Sequence, residues 1–120
     1  MYESTIRNTS RIIPGVTYEV RRVSYGGRLE LLKQVRDLAA RQAFHLSSDS
    51  AVERLDAEIA GREIRLTMIR WGLVRVEGLL VDGEAPAVDA LIEYGPEGLV
   101  AEIAAAVESQ LSLTEEERKN

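Results

Sequence analysis

The sequence has no cysteine, a single histidine, and only one tryptophan and one phenylalanine in 120 residues. Without thiols, disulfide frameworks, thiolate nucleophiles and cysteine-bound metals are excluded, and a reducing compartment suits the composition. With aromatics at 5%, the interior has to be assembled from Leu, Ile, Val and Ala. Long apolar runs are missing too, since none approaches the roughly 18 residues that a membrane span needs. The opening Met-Tyr-Glu-Ser-Thr-Ile-Arg-Asn-Thr-Ser also lacks the apolar core of a signal peptide. These absences predict a soluble, cytoplasmic chain with no membrane partner.

What is present is globular in kind: 45% hydrophobic and 29% charged residues, in a length that suits one domain. The net charge of −5 is unevenly spread. Residues 1–75 hold 13 Lys+Arg against 9 Asp+Glu (+4), whereas residues 76–120 hold 2 against 11 (−9). Such a split can steer charged partners or draw copies of the chain into a homo-oligomer.

Residues 1–15 are polar, lack a period, and read as an N-terminal arm closed by the turn-forming Pro14-Gly15. Val16, Tyr18 and Val20 then alternate with Thr17, Glu19 and Arg21, placing three apolar side chains on one face of a strand. Arg21-Arg22 breaks the alternation, which predicts a bulge or bend, and Gly26-Gly27 ends the strand. Leu29, Leu32, Val35, Leu38, Ala39 and Gln42 recur at spacings of three and four, as in an amphipathic helix of about four turns.

Ser50 and Glu53 have capping-box spacing and open a second helix. It carries Val52, Leu55, Ile59, Leu66, Ile69 and Leu73 on one stripe and Ala60, Ile64, Met68 and Trp71 on another, so its second half is expected at the centre of the core. Residues 76–81 read as strand, Asp82-Gly83 as a type I′ hairpin turn, and residues 88–93 as a short helical turn. Pro96 opens a third long helix with Leu99, Ile103, Ala106, Val107 and Leu111 inward, and Thr114 with Glu117 repeats the capping-box spacing. The expected fold is α+β and predominantly α-helical: an N-terminal strand or hairpin, three main helices, and a short hairpin near Asp82-Gly83. An arm (1–15), a single helical domain (16–111) and a charged C-terminal tail (112–120) divide it.

Patterns that carry chemistry are sparse. His45 is the only imidazole and has no nucleophile motif beside it; at the end of the first helix its cation favours the helix dipole. Asp49, Glu53 and Asp56 lie on adjacent turns, as do Glu93 and Glu97, but neither set has the second His or the EF-hand Gly of a metal site, so both read as solvated surface. The same holds for Glu115-Glu116-Glu117. Tyr25-Gly26-Gly27-Arg28 partly matches a phosphate loop without its Lys-Ser/Thr end, and reads as a plain turn. Arg21, Arg22, Tyr25, Arg28, Lys33 and Arg36 cluster as nucleic-acid binders do, yet the acidic C-terminal third opposes a polyanion. Trp71 lies on the apolar stripe and reads as core. No catalytic, cofactor-binding or metal-binding residue is therefore expected, nor a nucleic-acid partner.

The order of segments says more. The run Val20-Arg21-Arg22-Val23-Ser24-Tyr25-Gly26-Gly27-Arg28-Leu29-Glu30-Leu31, the later Trp71-Gly72-Leu73-Val74-Arg75-Val76-Glu77-Gly78-Leu79 with Asp82-Gly83, the Tyr94-Gly95-Pro96-Glu97-Gly98-Leu99 turn and the ending Leu113-Thr114-Glu115-Glu116-Glu117-Arg118-Lys119-Asn120 resemble small phage and prophage tail assembly chaperones. The resemblance covers about the last hundred residues and rests on turn and core patterns. It implies a non-enzymatic protein of the host cytoplasm that coats the hydrophobic tape measure protein, recruits tail tube subunits and leaves before the virion is complete. A longer form made by ribosomal slippage near Arg118-Lys119-Asn120 is also implied. A structural tail or neck subunit retained in the virion is the other reading, and an enzyme built on His45 would need a carboxylate or hydroxyl beside that ring in a cleft.

Overall fold

In the computed structural model, which describes residues 1–119 and only the backbone of residues 112–119, strands β1 (Thr5–Thr9) and β2 (Thr17–Arg21) precede two long helices. These are α1 (Tyr25–Leu46) and α2 (Ala51–Gly72); β3 (Leu73–Glu77), the short α3 (Val88–Tyr94) and α4 (Glu97–Lys119) complete the chain. The fold is α+β and mostly helical. The strands form one antiparallel sheet in the order β1-β2-β3, so β2 and β3 are neighbours although the whole α1–α2 hairpin lies between them in sequence.

The alternation in β2 determines where the core sits. Val16, just before the strand, and Tyr18 and Val20 within it are all buried, and they meet Leu99, Ile103 and Val107 of α4 in one cluster. Fully burying each such aliphatic side chain contributes roughly 1.5–3 kcal/mol. Leu31, Ile69 and Trp71 join this cluster from the bases of α1 and α2, and Leu91 joins it from α3. The core thus takes only the lower end of the helical hairpin. Gly72 lets α2 meet α4 closely, because a Cβ there would lie 2.7 Å from Val107 Cγ2.

The segment read as an arm contains β1, which pairs along its length with β2. Its single apolar residue, Ile6, packs against the core, and one residue cannot display a period. The β1–β2 connection is tied to α4 by Ser10, whose hydroxyl donates to Glu102 Oε1 at 2.7 Å and accepts the Ile12 and Ile13 amides at 3.1 Å. Glu102 Oε2 accepts the Arg11 amide at 2.7 Å. The sheet irregularity falls at Glu19/Val20, two residues before the expected Arg21-Arg22 break.

Gly26-Gly27 does not end β2; it lies in the first turn of α1, where Ser24 is the N-cap and its hydroxyl accepts the Gly27 amide at 3.0 Å. Gly27 leaves room for Trp71, since a Cβ would meet Cζ2 of that ring at 3.2 Å. At α2 the capping box is half made: the Ser50 hydroxyl accepts the Glu53 amide, but the Glu53 carboxylate turns to His45. Strand β3 spans Leu73–Glu77, so it starts and ends before the expected residues 76–81, and Leu73, read on the α2 stripe, opens the strand instead. Asp82 (φ 51°) and Gly83 (φ 83°) form the expected hairpin turn, held by the paired Val81 and Glu84. Helix α4 runs through Thr114 without the new start its capping spacing predicts. The charged side chains of the tail, and Asn120, lie outside the described residues.

Candidate functional site

The stripe read as one apolar face of α1 is two. Leu31, Val35, Leu38 and Gln42 share the face turned to α2, where Gln42 Nε2 donates to the Ala57 carbonyl at 3.4 Å. Leu29 (49% exposed), Leu32 (53%) and Ala39 lie on a separate flank. With Tyr25, Arg36, Ala43 and Leu46, all exposed, they follow one another at alternating intervals of four and three. That is the spacing of a coiled-coil seam. Two shallow recesses run along it, one of about 150 Å³ among Tyr25, Arg28, Leu29 and Leu32 and one of about 360 Å³ among Leu32, Lys33, Val35, Arg36 and Ala39.

Val52, Leu55 and Ile59 of α2 are exposed as well, and Phe44 stands out near the tip. The hairpin therefore presents aliphatic surface along the outer parts of both helices. Its own interior there is thin, with the small Ala57 and Ala60 buried between the helices and outside the main core cluster.

The turn at residues 47–50 brings together side chains that the sequence reading kept apart. His45 Nδ1 contacts Glu53 Oε2 directly, and Asp56 lies beside them. Phe44 sets its ring edge-to-face with the imidazole at 5.5 Å. The i, i+3 spacing of Glu53 and Asp56 was legible, whereas the eight-residue step back to His45 is visible only once the chain reverses. The carboxylate that an enzyme built on His45 would need is present beside the ring.

The remaining candidates are drawn into the fold. Arg21 lies 4.4 Å above the Trp71 ring and donates to the Trp71 carbonyl. Arg22 donates to the Glu3 carbonyl, and the buried Arg28 donates to the Leu111 carbonyl at 3.0 Å. Lys33 and Arg36 remain exposed on α1, with Arg36 beside Asp37. In the partial phosphate loop, the Gly27 and Arg28 amides are taken by Ser24. Asp49 is exposed, Glu93 is near the end of α3, and Glu97 starts α4 beside Arg62 and Arg65.

A polar groove of about 560 Å³ separates β1 from α4, lined by Arg7, Arg11, Tyr18, Glu102 and Ser109 among others. Burial pushes the Tyr18 phenol above its ordinary 10.0, the Glu102 carboxylate adds to the rise, and Arg11 opposes it. The phenol is therefore held neutral. On the opposite face of the sheet Arg7 spans β2 to reach Glu77 of β3 at 3.2 Å.

The fold and its surface define a class: a small α+β protein in which a long helical hairpin projects from a sheet and helix core. No protein-family model matches the chain, nor does a curated protein or a solved structure. Among the described residues no helix is long and apolar enough to cross a membrane.

Proposed function

We propose that this chain is a non-catalytic assembly factor that holds an amphipathic helix of a partner protein against the α1 seam. Its client, on this reading, is a phage tape measure protein, shielded in the host cytoplasm while tail tube subunits are recruited. The observation that carries the reading is the exposed four-and-three seam from Tyr25 to Leu46 on a helix whose core-facing residues are a different set. An apolar helical flank beside charged residues fits recognition of a second helix.

Arg36 favours a foreign partner over a second copy. It occupies the middle of the seam, so pairing two α1 helices in register, parallel or antiparallel, sets one guanidinium against the other. Like charges so placed are unfavourable. A helix with an acidic residue opposite Arg36, and others near Lys33, satisfies the seam instead. The resemblance to tail assembly chaperones supplies the tape measure protein as the helix-rich client, and the surface supports that reading by its shape.

Co-expression with a phage tape measure protein tests it. The wild-type chain should co-purify with that protein, and the Leu29→Asp, Leu32→Asp double variant should lose capture at least about tenfold. The variant should still melt cooperatively, because each side chain is about half exposed and neither belongs to the core cluster. Undiminished capture by the double variant, or none by the wild type, overturns the reading. Finding the chain in purified virions by mass spectrometry replaces it with that of a structural tail or neck subunit.

A further inference from the structure

Two chain segments converge at the free end of the helical hairpin. His45 comes from the last turn of α1; Glu53 and Asp56, one turn apart, come from the start of α2. His45 Nδ1 and one oxygen of each carboxylate lie within 4.8 Å of one another, and none of the three side chains is fully exposed. We propose that these residues bind one divalent transition-metal ion of the zinc type, which clips the two helices together at their tips.

The donor set is right for such an ion. Zinc takes imidazole nitrogen and carboxylate oxygen at about 2.0–2.2 Å, and three protein ligands leave a fourth position for water or a group from a partner. Ligand atoms around a tetrahedral ion lie roughly 3.4 Å apart, within the 4.8 Å spread of the three donor atoms here.

Charge points the same way. Two carboxylates face a single imidazole, and among the described residues no Lys or Arg forms an ion pair with either of them. A dication balances both. Glu53 would exchange its direct contact with His45 for a bond to the ion, and His45 Nδ1 would do likewise.

The position also gives the ion something to do. At the base, the helices are joined by Leu31, Ile69 and Trp71 in the main core, whereas further out they meet through Gln42, the small Ala57 and Ala60, and the polar His45–Glu53 contact. Metal bonds at the tip would supply the cross-link that packing supplies at the base. This inference stands on the tip geometry alone and is independent of what the α1 seam binds.

Zinc chloride titrated into the full, tag-free chain tests it by calorimetry, thermal melting and proton NMR. One ion per chain is expected, with a melting temperature that climbs with zinc concentration. The chain has a single histidine, so its ring signals report one site and should shift on zinc addition. His45→Ala and Asp56→Asn should each weaken binding at least about tenfold. Asp56→Asn keeps the His45–Glu53 contact, so its loss of affinity separates ligation from mere disruption of that pair. Stoichiometry well below one, unmoved ring signals, or wild-type affinity in Asp56→Asn overturns the proposal.

Discussion

Trp71 shows how much one side chain organises. It is 7% exposed, fills the space that Gly27 leaves, and carries Arg21 on its ring face. Truncating it to Ala should cost about 3–5 kcal/mol in denaturant unfolding, the range for a large aromatic lost from a core; a cost near zero would place the ring outside the packing. Tyr18 offers a different measurement. Its folded pKa lies above the 10.0 of the free phenol, so the folded chain keeps that proton when the unfolded chain begins to lose it. The contribution is intact below pH 10 and is lost as pH rises through the folded value. Tyr18→Phe should therefore lose less stability than wild type between about pH 8 and pH 11 in urea titrations; parallel losses would refute the assignment.

Among the elements, legibility followed the number of residues that carry a period. The alternation of Val16, Tyr18 and Val20 places β2 correctly, and the spacing of Leu99, Ile103 and Val107 does the same for α4. Strand β1 has only Ile6 turned inward, so its pairing with β2 left no mark in the pattern. In α1 two apolar stripes lie close enough in sequence to read as one, and only packing shows which one faces α2. The tip cluster was half visible for the reason that chain reversal pairs residues across a turn. These differences predict a gradient of order within the hairpin. Backbone amides of residues 40–57 should exchange with deuterium faster than those of residues 27–35 and 64–72, since few large apolar contacts protect them. Uniform protection along both helices in zinc-free buffer would contradict this.

At the scale of the whole molecule, sheet and hairpin are joined in a way that frees one dimension. Strands β2 and β3 pair directly across the α1–α2 insertion, which leaves and re-enters the core at its base. Helices of 22 residues extend about 33 Å at 1.5 Å per residue. Excising residues 36–42 together with 57–63 removes two facing turns from each helix and should leave a protein that still melts cooperatively, with a hairpin about 10 Å shorter. Loss of cooperative melting in that variant would show the outer hairpin to be part of the folding unit. In topological terms the hairpin is a loop written in helix. Its length is a parameter that the core leaves open, so the reach of the hairpin tip can change by heptads while the sheet below keeps its register.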